Sequence, residues 1–320
     1  MILDILRRLK YLSLKIERWL QQKLSFIVLP GFDGMPLYDV MEFFFRGLFK
    51  GVITYRAAAI AFNFFLALIP FVLFIVTLIP FVTTPYFQVD LLDLLDEIIP
   101  ASVYNLAEST LIEIVSRPSS GVLSIVSLLA IYFSVNGIDA ILEGFNQSFH
   151  QTEIWPWWKQ KVQAFFLMVG LSILVFVSMS LLGFGKDIIN LLAAQGIITH
   201  KLTLLALIAL QWLIIILSIL LSISLLYYFG QQKDREVNKY RFFSPGSILA
   251  TTLFVFGGVL LKMYFENFSR YNLLYGSIGS LIILLIWLYY NAIILLIGFE
   301  LNASIRKSRS EAVIKYKVVE

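Results

Sequence analysis

The chain contains no cysteine. That excludes disulfides, thiolate metal sites and a cysteine nucleophile, and it says nothing about compartment. Histidine is nearly absent too: only His150 and His200 occur, with no HExxH spacing, which argues against a zinc hydrolase. There is no Walker A sequence or ABC signature to hold a nucleotide, no TVGYG-like filter, and no GxSxG or Ser/His/Asp constellation. No catalytic residue, metal site or cofactor is therefore expected. Charge is scarce as well, at 14% of residues against about a quarter in soluble domains. What fills the gap is apolar: 59% of the 320 residues are hydrophobic, and the mean hydropathy is +0.84. Composition alone indicates a polytopic membrane protein, and the apolar stretches and amphipathic segments below make its fold class all-α. The formal charge of +4 is modest and fits basic loops rather than nucleic-acid binding.

Six apolar stretches reach spanning length, which takes about 20 residues at a rise of about 1.5 Å each. They run over roughly 57–82, 122–142, 162–183, 202–229, 247–262 and 275–299. The fifth is the weakest, being short and rich in Thr and Gly. Lys and Arg concentrate in an arm at 1–56, in the 230–246 loop and in a tail at 305–320, and are sparse in the alternate loops. Positive-inside then puts both termini in the cytoplasm, consistent with an even span count. No cleavable signal peptide is visible, and the first span would itself direct insertion.

The arm reads as a basic amphipathic surface helix, with Ile2, Ile5, Leu9, Leu12, Ile16 and Leu20 on one face. After a break at Pro30, Gly31, Gly34 and Pro36, a second amphipathic piece from Leu37 to Val52 leads into the membrane. The long loop 83–120 is acidic, through Asp90, Asp93, Asp96, Glu97, Glu108 and Glu113, and its plainest reading is a solvated outer cap. Trp155, Trp157 and Trp158 around Pro156 read as an interfacial aromatic anchor.

Polar residues at membrane depth are costly, so they mark where function is sought. At 100° per residue, Asn136, Asp139, Glu143, Asn146, Gln147 and His150 fall within an arc of roughly 100° on the second span. The stripe is either packing glue between helices or the wall of a hydrophilic groove for ions or headgroups. Asp139 fits the first reading poorly, because a lone carboxylate inside the bilayer costs about 2.5–3.5 kcal/mol. Arg56, Asn63, Pro70 and Thr77 recur every seven residues on the first span, which makes Arg56 an expected partner for Asp139 or Glu143. Pro70 also frees a backbone carbonyl. Lys262, Glu266 and Arg270 form an i, i+4 ladder at the outer end of the fifth span. At the inner end of the last span, Glu300 reads as a solvated helix end or as the partner of a basic loop, with Asn302 beside a cytoplasmic exit. Gly257 and Gly258 are expected to kink the fifth helix.

Three stretches resemble the YihY/BrkB family of bacterial inner-membrane proteins, historically mislabelled ribonuclease BN. The first is YRAAAIAFNFFLALIPFVLFIVTLIP, from Tyr55 to Pro80. The second, NGIDAILEGFNQSFHQTEIWPWWKQKVQAF, carries Asn146, Phe149, Trp158 and Lys161 at the positions of the family's Asn-x-x-Tyr/Phe and Trp-x-x-Arg/Lys elements. The third, Ser244 to Ser304, carries Pro-Gly, Asn-Phe-x-x-Tyr-Asn, Tyr-Gly-Ser-x-Gly, Trp-Leu-Tyr and Gly-x-Glu-Leu-Asn in the family's order. Where the family often has a basic residue near the start of the 136–150 helix, this chain has Asn136 and Asp139, which weakens any anion-binding inference there. The resemblance implies six spans in the bacterial cytoplasmic membrane, without a settled activity. The expected role is a transporter or flippase of lipid-like or amphiphilic molecules, with membrane lipids as partners and no nucleic acid. The alternative is a non-transporting scaffold for envelope integrity that holds envelope-protein partners. A membrane enzyme ranks third.

Overall fold

The computed structural model describes residues 21–82, 120–149, 156–194, 201–231, 241–267 and 277–319. These form seven helices: α1 (Leu37–Lys50), α2 (Ile53–Val82), α3 (Ser120–Asn146), α4 (Trp157–Ala194), α5 (Lys201–Phe229), α6 (Pro245–Asn267) and α7 (Ser277–Val319). Most of the amphipathic arm (1–20), the acidic loop 83–119, and His150, Trp155 and His200 lie outside the described residues.

The all-α membrane architecture expected from the apolar spans is what the described residues adopt. Helices α2, α3, α4, α5 and α7 each contain a stretch long and apolar enough to cross a bilayer; the apolar part of α6, Pro245–Leu261, is shorter. Each of α2 to α6 packs on the next helix, and α7 closes back on α2, so the six form a ring of neighbours. Large apolar side chains face outward, among them Phe166, Phe176, Met179, Leu205 and Leu213. In water such a surface would aggregate, whereas in lipid it is the expected exterior.

The packed core sits at one end of the ring, where the start of α2, the end of α3, the start of α4, the end of α5, the start of α6 and the middle of α7 converge. Phe145 stacks on Phe299 with centroids 4.1 Å apart, and Tyr227 meets both edge-on at 5.6 and 6.0 Å. The Tyr227 hydroxyl donates to the Leu295 carbonyl at 2.7 Å, satisfying the polar end of a buried ring. Glycine sets the closeness of α6 to α7: a Cβ on Gly298 would lie 2.6 Å from the Gly246 carbonyl oxygen and would strike the Tyr227 hydroxyl. Gly257 likewise gives room to the Tyr290 side chain within α6.

A second cluster, of Phe32, Val40, Phe44, Leu301 and Ile305, seats α1 on α7. The amphipathic piece after the Pro/Gly break thus packs on protein, while Phe45 and Phe49 remain outward. Asp39 in its first turn and Lys50 in its last suit the helix dipole. The last helix does not end near Phe299. It continues about 30 Å beyond, at about 1.5 Å per residue, so the basic tail prolongs the span.

A polar groove beside a buried ion pair

Helix α2 begins straight after a tight turn at Gly51 and Val52, the latter at φ 47°. Arg56 then enters the core, 4% exposed, and Glu300 meets it there at 0% exposure. One terminal nitrogen of Arg56 donates to Glu300 Oε1 at 2.6 Å and the other to the Gly144 carbonyl at 2.8 Å. Ser148 Oγ donates to Glu300 Oε2 at 2.9 Å. Arg56 Nε has no hydrogen-bond partner among the described residues. The ion pair ties α2 to α7, and the hydrogen bonds add the end of α3.

This corrects two expectations. Arg56 pairs with Glu300, not with Asp139 or Glu143, and Glu300 is neither a solvated helix end nor the partner of a basic loop. The reason is the continuation of α7: with the helix running on, Glu300 lies mid-helix inside the packing, and a carboxylate enclosed there needs a cation at its own level.

The α3 stripe faces elsewhere. Ile138, Ile141, Leu142 and Phe145 take one side of α3 into the core. Asn136, Asp139, Glu143 and Gln147 lie on the other side, given 100° per residue, and Glu143 and Gln147 are exposed. Together with Arg56, Ala59 and Asn63 of α2 and Lys161 of α4 they line a groove of about 220 Å³. Lys161 pairs with Asp139 at 2.6 Å and donates to Asn136 Oδ1 at 2.7 Å. Gln160 donates to Asp139 Oδ1 at 2.8 Å and lies 3.4 Å from Glu143 Oε2, and Gln147 donates to Glu143 Oε1 at 2.8 Å. Two cations and three carboxylates meet in the two adjoining networks. Arg56 balances Glu300 and Lys161 balances Asp139, and among the described residues Glu143 is held by the amides of Gln147 and Gln160.

Of the residues expected to line a path, Arg56, Asn63, Asn136, Asp139 and Glu143 are thus brought together. Asn146 stands behind the groove, donating to Gln160 Oε1 at 2.6 Å. Pro70 is buried seven residues further along α2, at about 10 Å, and does not line the groove. Asn302 is occupied elsewhere: its Oδ1 accepts from the Gly246 N–H and its Nδ2 donates to Ser244 Oγ, both at 2.8 Å, so it caps α6. Neither it nor Glu300 lines the groove. In the outer ladder, Lys262 and Glu266 belong to α6, but their side chains lie outside the described residues, as does Arg270. Gln160, Lys161 and Ser148 were not singled out as site residues. The signal for the first two was their place just after the tryptophan cluster, in the first turn of the helix antiparallel to α3. Among the described residues no group of His, Asp or Glu gathers as a metal-ligand set.

The chain matches the family model described as Virulence factor BrkB over residues 44–317. It is 29% identical over 254 residues to the Bacillus subtilis (strain 168) protein named "Putative ribonuclease-like protein YfkH", covering 79% of this chain and 90% of that one. Shorter matches reach UPF0761 membrane proteins. One from Psychromonas ingrahamii is 35% identical over 68 residues (21% of this chain and 23% of that protein). One from Aliivibrio fischeri (strain MJ11) is 34% identical over 96 residues, or 30% of each chain. No solved structure matches the chain.

Proposed function

The chain belongs to the BrkB family of membrane proteins, and from that premise we propose that it is a transporter or flippase of lipid-like or amphiphilic molecules in the bacterial cytoplasmic membrane. The observation that carries the reading is the position of the groove. It lies on the side of α3 turned away from the core, with α2 and α4 flanking it, and in this reading that side faces lipid. A headgroup can enter such a groove while its acyl chains stay among the outward apolar side chains. Asn63 stands ten residues into α2 and Asn136 ten residues before the end of α3, so the polar wall reaches about 15 Å inward from the helix ends. That depth is about half of a typical hydrocarbon core.

In this reading the Arg56 end of the bundle faces the cytoplasm, both termini are cytoplasmic, and α6 completes six spans. The Glu143 carboxylate, whose partners among the described residues are amides, favours a headgroup bearing an ammonium, zwitterionic lipids included. Asp139 and Lys161 supply a second ion pair across which a phosphate and an ammonium can be exchanged. No bond is made or broken, and no cofactor takes part.

The test is translocation of headgroup-labelled phosphatidylethanolamine in proteoliposomes containing the purified chain. Protein-dependent flipping that drops in Glu143→Gln and Asp139→Asn, with expression unchanged, supports the reading. Flipping that is absent across lipid classes, with and without a pH gradient, refutes it. A scaffold role is favoured by one observation, that Asp139 already has a partner in Lys161. It predicts that the groove variants keep envelope integrity while deletion of residues 1–30 loses it.

A further inference from the structure

A second cavity, separate from the groove, lies where the end of α5, the start of α6 and the middle of α7 meet the loop before α1. It holds about 40 Å³, room for a few water-sized groups. Its charged lining consists of Asp33, Arg241 and Arg306. Arg241 pairs with Asp33 at 2.9 Å, and Arg309 reaches the same carboxylate at 3.7 Å. Two guanidinium groups thus address one carboxylate, while Arg306, whose guanidinium carbon lies 5.7 Å from the Phe299 ring centroid, lines the same cavity. Ser244, the residue before α6, is part of the wall.

The remaining feature is Gln231. It lines the cavity, is 6% exposed, and its Oε1 has no hydrogen-bond partner among the described residues. An enclosed acceptor without a partner costs about 1–3 kcal/mol unless something donates to it. The loop is shaped around this place. Gly31 sits at φ 96°, and a Cβ there would lie 2.8 Å from Pro245, while Asp33 itself holds a left-handed φ of 53°.

We propose that this cavity binds a phosphate group that carries an adjacent O–H donor, either hydrogen phosphate or a phosphoglycerol headgroup. The anionic oxygens face Arg241 and Arg306, in the fork geometry that guanidinium offers to phosphate. The O–H donates to Gln231 Oε1. Sulfate, equal in shape but lacking the donor, leaves that acceptor unsatisfied, so the site discriminates between the two oxyanions. The cavity is too small for a nucleotide base. The inference does not rest on transport through the groove.

The test uses the full chain, purified in a phosphate-free neutral detergent. In the first arm inorganic phosphate and sulfate are titrated separately by calorimetry. In the second, the chain is placed in nanodiscs of phosphatidylcholine with phosphatidylglycerol, and the retained lipid is read by mass spectrometry. Saturable phosphate binding, about tenfold tighter than sulfate, identifies a soluble anion; selective retention of phosphatidylglycerol identifies a headgroup. Arg306→Gln weakens whichever binds by about tenfold or more. Asp33→Asn tightens it by about threefold, because the rival carboxylate is gone and Asn tolerates the left-handed backbone. Gln231→Leu removes the acceptor without breaking a recorded bond to it, and the preference over sulfate disappears. The proposal is overturned if neither arm shows saturable binding, or if binding is the same in Arg306→Gln and does not tighten in Asp33→Asn.

Discussion

Replacing Arg56 by methionine strands the Glu300 carboxylate where no water reaches it. Glu300 is 0% exposed, and its remaining donor among the described residues is Ser148 at 2.9 Å. Breaking one side of a buried ion pair costs about 3–5 kcal/mol, because the surviving charge has already lost its hydration. The bond from Arg56 to the Gly144 carbonyl adds about 1 kcal/mol. The pair of Lys161 with Asp139 gives the contrast. The Lys161 side chain is 41% exposed and that of Asp139 18%, and Gln160 still donates to Asp139, so Lys161→Met loses less than Arg56→Met. Unfolding of the full chain in mixed micelles, titrated with dodecyl sulfate, reads both. The double variant Arg56→Met, Glu300→Met removes both charges and recovers part of the loss, with a coupling of up to about 3 kcal/mol. A loss under about 1 kcal/mol for Arg56→Met, or a double variant equal to the sum of the singles, refutes the account of the pair as the tie between α2 and α7.

Two further outcomes concern packing. Gly298→Ala puts a methyl group onto the Tyr227 hydroxyl and the Gly246 carbonyl, and lowers stability by about 1–3 kcal/mol in the same titration. Val52→Gly removes a β-branched side chain from φ 47° at a half-exposed turn, and raises stability by about 0.5–1 kcal/mol after the entropy cost of glycine.

The membrane class, the helices and the polar face of α3 were legible because periodicity and hydropathy are local properties. The stripe from Asn136 to Gln147 follows from 100° per residue and needs no partner to be seen. Pairing is different, because it depends on which helices become neighbours. Arg56 and Glu300 are 244 positions apart, and they meet only because α7 closes the ring on α2. Nothing in the last span signals that its helix runs on through the basic tail, and that continuation turns Glu300 from a helix end into a buried group. Lys161 was read as part of a tryptophan-containing motif. Its role emerges from the antiparallel packing of α4 on α3, which brings it to Asp139 across 22 residues of sequence. Asn302 looked like an exit residue because it is polar at the end of an apolar run, yet its carboxamide is spent on the first turn of α6.

In the proposed function the outward groove receives a headgroup, and because the chain has no cysteine a single introduced thiol can report on it. The cysteine is placed at Asn63, which lines the groove, or at Glu311, a half-exposed residue of the basic tail that does not. Labelling by a water-soluble maleimide is then followed with and without a short-chain phosphatidylethanolamine. The expected outcome is that the Asn63→Cys thiol is labelled, that the lipid slows its labelling in a saturable way, that Glu143→Gln removes this protection, and that Glu311→Cys is unaffected. Labelling of Asn63→Cys that the lipid leaves unchanged, or slows equally at Glu311→Cys, refutes headgroup binding in the groove.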